Sequence, residues 1–236
     1  MDKGKLYLIP SLIGSSDIDN YLPDSIINHI RRINIFIVEN VRSARRFIKK
    51  VDKQKEIDAC TFYAYGKHDN VNLEIDFLPH ILKGEDVGII SEAGLPCVAD
   101  PGSVIVEYAH DLQIKVVPLV GPSSIFLALM ASGLNGQSFV FHGYLPINQK
   151  EREIRIRQMQ NDSRKWNQTQ IFMETPYRNN QLFESILRCT NKDTRLCIAT
   201  DITLSSEQIK TLSVEQWKHT EVNIHKKPTI FLLHAK

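Results

Sequence analysis

The sequence predicts an α/β protein of two domains, and three features of the 236 residues carry that expectation. Short apolar runs rich in β-branched residues recur through the first half, segments with helical spacing lie between them, and a second set of strands and helices follows a polar linker. Strands alternating with helices imply a mostly parallel sheet with helices on its faces.

The first-half strands fall at residues 6–9, 35–38, 61–65, 87–90 and 116–120. The clearest helix spans 42–51, with Ala44, Phe47, Ile48 and Val51 on one face and Arg42, Arg45, Arg46, Lys49 and Lys50 on the other. Asp100 followed by Pro101 suits an N-cap with proline at the first helical position. Gly121 and Pro122 introduce a helix over 123–132 that Gly133 can close. A helical pattern over 73–82 contains Pro79, which interrupts a helix interior. After Gly133 the segment LNGQS reads as a linker, which sets the domains at 1–134 and 135–236. The second domain has strands at 139–142, 170–173, 196–199 and 230–233, with helices at 150–160 and 179–188, in an α/β or α+β arrangement.

Composition excludes several classes. With 42% hydrophobic and 24% charged residues the chain can bury a substantial core. The four cysteines form no CxxC pair and no metal-ligand spacing, so no metal site is expected and a reducing cytoplasm fits best. The first apolar run is too short for a signal sequence, and no run approaches the roughly 20 residues of a membrane span. A net charge of +2 leaves any nucleic-acid contact to local patches. The glycine-rich dinucleotide fingerprint, the phosphate-binding loop, the HExxH zinc motif and the GxSxG nucleophile elbow are all missing from the sequence.

What remains is a set of bends at strand ends, where ligands of open α/β sheets bind. They are PSLIGSSD (10–17), VENVR (38–42), SEAGLPCVADPG (91–102) and PLVGPSS (118–124). With FHGYLP (141–146) and FMETPYR (172–178), these segments resemble, in order and spacing, the tetrapyrrole methylase superfamily of class III S-adenosylmethionine-dependent methyltransferases. The branch they are most similar to methylates ribose 2′-hydroxyls of small-subunit ribosomal RNA. That branch usually carries Glu-Asp-Thr-Arg where this chain has Glu39, Asn40, Val41 and Arg42, and Ser-Asp-Ala-Gly-Thr-Pro where it has Ser91, Glu92, Ala93, Gly94, Leu95 and Pro96. Arg-Glu and Lys-Gly-Glu of the branch are replaced by Thr200–Asp201 and by Lys226, Lys227 and Pro228.

The resemblance implies two α/β domains with S-adenosylmethionine folded in a cleft between them. It implies contacts from Pro10, Gly14, the loop Ser91, Glu92, Ala93, Gly94, Leu95 and Pro96, Ser123, Ser124, Met173, Thr200, Pro228 and Thr229. It also implies a cytoplasmic homodimer and a partner in ribosomal RNA or the small ribosomal subunit. The chemistry agrees with the residues: the sulfonium methyl is already activated, so alignment and water exclusion dominate. A hydroxyl acceptor must lose its proton, and a positioned base is worth about a hundred- to ten-thousand-fold. Glu39 is the first candidate base, with His68 and Asp100 behind it, and Arg42 could hold a phosphate or pair with Glu39.

Plainer readings stand beside these. Glu39 and Arg42 could form a structural ion pair at a helix start, His68 could be a solvated turn residue, and the basic face could be a solvated surface. Cys97 reads as a small loop residue. Two other functions remain open: methylation of a tetrapyrrole or other small molecule, and S-adenosylmethionine binding without turnover.

Overall fold

The computed structural model describes residues 3–14, 17–66 and 71–236. The chain forms two compact units, Met1–Ser123 and Ser124–Lys236. The candidate base His68 lies outside the described residues.

The first unit runs β1 (Leu6–Ile9), α1 (Ile18–Tyr21), α2 (Asp24–Arg32), β2 (Ile35–Val38), α3 (Val41–Val51), β3 (Thr61–Ala64), α4 (Leu78–Leu82), β4 (Val87–Ile90), α5 (Ser103–Asp111) and β5 (Val116–Pro118). All strand pairings are parallel, in the order β3-β2-β4-β1-β5. Side chains of a strand alternate between faces, so successive residues serve two cores. Tyr7, Ile9, Phe36, Val38 and Ile90 pack with Ile26 and Ile30 of α2 and Ile48 of α3. Leu6, Ile35, Ile37, Val87 and Ile89 pack with Ile81 of α4 and Ile105 and Ala109 of α5. Burial on both faces explains why β2 and β4 read as unbroken apolar runs.

Two helix starts differ from the sequence expectation. The 73–82 segment divides into a wide helical turn, Leu73–Phe77, and α4, so Pro79 falls in the first turn of a new helix, where its missing N–H costs nothing. Helix α5 begins at Ser103 with Gly102 as its cap, not at Asp100. The Asp100 carboxylate instead accepts from the N–H groups of Cys97 at 2.9 Å and Gly102 at 2.8 Å, holding the turn that leads into the helix.

The second unit contains α6 (Ser124–Ser132), β6 (Phe139–Tyr144), α7 (Gln149–Trp166), β7 (Thr169–Met173), α8 (Asn179–Cys189), β8 (Arg195–Thr200), β9 (Gln208–Ser213), α9 (Val214–Lys218) and β10 (Thr229–His234). Its sheet, ordered β6-β7-β10-β8-β9, is mixed: β6 and β7 are parallel and the other pairs antiparallel. Ile156 and Met159 of α7, Leu182 and Ile186 of α8 and Trp217 of α9 pack on Phe172, Leu196, Ile198 and Phe231. The helix after Gly121 and Pro122 packs against β8, β9 and β10, and Thr211 Oγ1 donates to the Ser132 carbonyl at 2.7 Å. Among the described residues no helix is long and apolar enough to cross a membrane.

Candidate active site

Register decides which residues meet at the carboxyl edge of the first sheet. Ile9 is level with Ile90, Ile90 with Val38, and Val38 with Ala64, so Pro10, Ser91, Glu39 and Tyr65 all leave their strands at one edge. Leu8 is level with Pro118, which brings the bend after β5 to the same edge.

The loop after β4 is held against its neighbours by main-chain contacts. The Ser11 N–H donates to the Gly94 carbonyl at 2.9 Å, and Ser91 Oγ lies 3.4 Å from the carbonyls of Ala93 and Gly94. Gly94 has φ +74°, and a Cβ there would stand 2.9 Å from Ile13 Cγ2 and 3.0 Å from the Pro122 carbonyl. Two further residues of the loop, Cys97 (φ 66°) and Ala99 (φ 63°), occupy the left-handed region that L side chains seldom adopt. Gly121 sits so close to Pro10 that a Cβ would come within 2.2 Å of the proline Cβ. Backbone is thereby packed edge to edge at the strand ends, with Ser91, Gly94, Pro96 and Ser123 buried, Leu95 and Ser124 half-buried, and Gly14, Glu92 and Ala93 exposed. A small cavity of about 80 Å³ opens among the ends of β1, β2 and β4, lined by Ser11, Leu12, Asn40, Phe47, Ile90 and Ser91 among others.

Glu39 and Arg42 do not pair with each other in the structure. Glu39 Oε1 accepts from the Glu92 N–H at 3.0 Å, and among the described residues Arg42, exposed at the start of α3, has no ion pair. Asn40 supplies the helix cap, accepting from the Ser43 N–H at 3.0 Å. Burial pushes the Glu39 carboxyl above its ordinary value, and the carboxylates of Asp100 and Glu92 add to this against the opposing Glu92 N–H. Asp100 is likewise pushed up by burial in spite of its two N–H donors. Cys97 is pushed up to about 12 by burial and by Asp100, which keeps its sulfur a thiol and removes it as a nucleophile.

The second unit gathers its own set by register. Thr200 is level with Thr229, and Met173 with Ile230, so Met173, Thr200, Pro228 and Thr229 lie together at one edge of that sheet. The hydroxyls of Thr200 and Thr229 are 3.4 Å apart, and the Pro228 carbonyl accepts from the Asp201 N–H at 3.0 Å. Sequence reasoning missed Asn179. It is wholly buried, and its Nδ2 contacts the carbonyls of Ile224 (3.1 Å) and Lys227 (2.7 Å) and Thr229 Oγ1 (3.2 Å), which fastens the 224–229 segment to α8. It missed the Glu174–Arg178 ion pair (2.7 Å) as well. That pair holds the buried Glu174 carboxyl below its ordinary value, along with the Thr175 N–H. Its stabilisation is present above the ordinary carboxylate range and is lost as pH falls through the lowered value. Glu174→Gln should therefore flatten the acid side of the thermal-stability profile measured by circular dichroism.

Among the described residues no group of three or more histidine, cysteine, aspartate or glutamate side chains is arranged to hold a metal ion. Two of the buried polar atoms that lack a hydrogen-bond partner among the described residues lie at the carboxyl edge of the first sheet: Ser11 Oγ, just beyond β1, and Tyr65 Oη, just beyond β3.

Residues 22–217 match the profile of the Tetrapyrrole (Corrin/Porphyrin) Methylases. The chain belongs to this family. Membership carries S-adenosylmethionine-dependent methyl transfer, the chemistry of these methylases, and the two α/β units with their separate sheets have the architecture expected of a member. The Ribosomal RNA small subunit methyltransferase I of Vibrio cholerae serotype O1 is 27% identical over 234 residues, which are 98% of this chain and 77% of that protein. The protein of the same name from Pseudomonas aeruginosa is 28% identical over 216 residues, 92% of this chain and 72% of its own length. Among solved structures, the methyltransferase CobJ superposes with a TM-score of 0.59 at 15% identity, covering 98% of this chain and 94% of its own. The uroporphyrin-III-C-methyltransferase from Thermus thermophilus gives 0.54 at 16% identity, with coverages of 98% and 94%. At such identities these superpositions speak for the fold of this methylase.

Proposed function

We propose that this methylase transfers the methyl group of S-adenosylmethionine to a ribose 2′-hydroxyl of small-subunit ribosomal RNA. The observation that carries the reading is the pair of half-buried carboxyls, Glu39 at the end of β2 and Asp100 in the turn that follows the loop after β4, in a chain whose relatives are named as ribosomal RNA small subunit methyltransferases. Bound S-adenosylmethionine would supply a methyl group on a sulfonium, which needs no further activation.

The residues fit that ligand. Pro10, Gly94 and Gly121 bring main chain close enough to form a wall without side chains, and Ser11 Oγ offers a buried hydroxyl with no partner of its own. Ser91, Glu92, Ala93, Leu95, Pro96 and Ser123 would hold the nucleoside through the loop after β4 and the bend after β5, with Gly14 and Ser124 flanking them. In the second unit, Met173, Thr200, Pro228 and Thr229 are the proposed contacts. Glu39 takes the proton of the acceptor hydroxyl, with Asp100 beside it, and His68 is a further candidate base.

RNA phosphates are assigned to α3. Arg42, Arg46 and Lys50 are exposed and make no ion pair among the described residues, whereas Arg45 is tied to Asp58 at 2.6 Å and Lys49 to the Lys55 carbonyl at 3.0 Å. An open groove of about 630 Å³ runs beside them, lined by Arg45, Arg46, Lys49 and Lys55 among others. Each phosphate neutralised releases counterions, so binding weakens with salt. The Arg46→Glu, Lys50→Glu double variant should bind small subunits more weakly in filter-binding assays, and the slope of log affinity against log salt should fall by about one per lost contact. Unchanged affinity and slope would remove this face from the interface.

The acceptor is tested by incubating extract of a strain lacking the gene with the purified protein and radiolabelled S-adenosylmethionine. Label in small-subunit RNA, released as a 2′-O-methylated nucleotide on digestion, supports the reading. Label in a small molecule instead replaces the acceptor, and binding without label in any fraction makes the protein a non-catalytic binder. We also propose a cytoplasmic homodimer, for which sedimentation equilibrium should give twice the 27.0 kDa chain mass.

A further inference from the structure

Tyr65 is the first residue beyond β3, and its N–H donates to the Val38 carbonyl at 3.0 Å, which fixes it beside Glu39 at the carboxyl edge. Its ring is buried in the core formed with Ile37, Phe77 and Ile105, and only 4% of the residue is exposed. Among the described residues the hydroxyl has no hydrogen-bond partner. A buried hydroxyl left in that condition costs about 1–3 kcal/mol, so its placement calls for a reason.

Gly102 supplies the geometry. A Cβ built on it would stand 3.0 Å from Asp100 Oδ1, 3.1 Å from Cys97 Sγ and 3.3 Å from Tyr65 Oη, so three polar side chains converge on the bare face of one glycine. Among the described residues the groups that act on Tyr65 are Asp100, Glu39 and Cys97, and Glu92 acts in turn on Glu39. None is a cation. The phenol is pushed far above its ordinary value by burial and then by these neighbours, so it keeps its proton throughout the working range. A donor that never ionises, next to two carboxyls that resist ionising, is suited to favour their charged form.

We propose that Tyr65 is a positioning residue for proton removal: its hydroxyl, which lacks a partner among the described residues, turns to donate to the Asp100 carboxylate that faces it across Gly102, and so holds the neighbouring Asp100 and Glu39 carboxyls in the proton-accepting state. The inference rests on the methyl-transfer reading above. In the step it serves, the acceptor oxygen uses a lone pair to form the new O–CH3 bond. The S–CH3 bond of the sulfonium donor breaks with its electron pair going to sulfur, which leaves a neutral thioether. The acceptor's O–H proton passes to the carboxylate pair and from there to solvent, so charge and atoms balance.

The test is a carbon-13 titration of the side-chain carboxyls in the full chain, run beside the pH profile of turnover. Tyr65→Phe removes the donor alone. The apparent titration of the Glu39 and Asp100 pair should move up by about half a unit to one unit, and the acid limb of kcat should move with it, while KM for S-adenosylmethionine stays as in the parent. Site-specific 3-fluorotyrosine at position 65, a stronger donor of nearly the same shape, should move both in the opposite direction. The fluorinated chain also decides the matter if Tyr65→Phe fails to fold. Carboxyl titrations that ignore both changes overturn the proposal. Failure of the parent to methylate any fraction defeats the methyl-transfer reading separately, because the carboxyl titration does not depend on turnover.

Discussion

Gly121→Ala is expected to destabilise the first unit by about 3 kcal/mol or more and to abolish binding of S-adenosylhomocysteine. The added Cβ would lie 2.2 Å from Pro10 Cβ and 2.3 Å from Pro10 Cγ, distances no real contact tolerates. The obstacle is a proline ring closed onto the backbone, so it cannot swing aside as a flexible side chain would. Relief has to come from displacement of the bend after β5, the bend after β1, or both, and these two bends form the proposed wall of the ligand site. The comparison is Gly136→Ala, where nothing stands within 4 Å of a new Cβ. That variant should stay within about 1 kcal/mol of the parent, because it alters only chain entropy. Urea unfolding of both variants, followed by calorimetry with the demethylated nucleoside, reads the two effects separately. If Gly121→Ala kept parental stability and affinity, the close packing of Pro10 on Gly121 would have no role in the site.

Glu39→Gln is expected to lower kcat by about a hundred- to ten-thousand-fold while leaving nucleoside affinity close to that of the parent. The amide keeps an oxygen to accept from the Glu92 N–H at 3.0 Å, so the loop after β4 loses no anchor. It cannot take a proton at working pH. The two effects should part company in stability as well. Glu39 titrates higher in the folded chain than in the unfolded one because it is buried near Asp100 and Glu92. Stability therefore declines as pH rises from the ordinary carboxylate range through the raised value, since the charged form is disfavoured in the fold. Glu39→Gln abolishes that decline, so the variant should be at least as stable as the parent at neutral pH. In the parent, turnover should fall as pH drops through the raised carboxyl titration. An unchanged kcat in a folded, nucleoside-binding Glu39→Gln chain would end the assignment of Glu39 as the base.

How far the sequence revealed this arrangement varies with the kind of force involved. Strands β1 to β5 were legible because burial on both faces demands continuous apolar runs such as IFIV and VGII. Helix α3 was legible from its two faces, with Ala44, Ile48 and Val51 buried as the spacing required. Strand β9 was missed because QIKTLS lies at the edge of the second sheet, where polar residues are tolerated and no buried run is needed. Helix α2 was missed although its spacing was available, with Ile26 and Ile30 one turn apart on the buried face. Asp100 was read as the cap of the next helix, but that helix begins at Ser103, and the carboxylate closes the turn before it by accepting from Cys97 and Gly102.

The site divides along the same line. The places of Glu39, Ser91 and Pro10 at the carboxyl edge were legible because each follows a strand of a parallel sheet. Tyr65 looked like the tail of β3, and only the register of β3 on β2 together with the bare face of Gly102 shows where its hydroxyl goes. Asn179 looked like the first residue of a helix. Its partners at Ile224, Lys227 and Thr229 are 45 to 50 residues away, a distance over which side-chain hydrogen bonds leave no periodic trace in the chain. Motif order revealed the family, and tertiary contacts assigned the individual atoms.

The central claim is that the bends of the first unit form a site for a sulfonium nucleoside. Isothermal titration of the 236-residue chain with S-adenosylhomocysteine tests it directly. A saturable heat corresponding to one nucleoside per chain, lost in Gly121→Ala and retained in Glu39→Gln, is the expected result; no heat and no shift in melting temperature with the parent protein would contradict it.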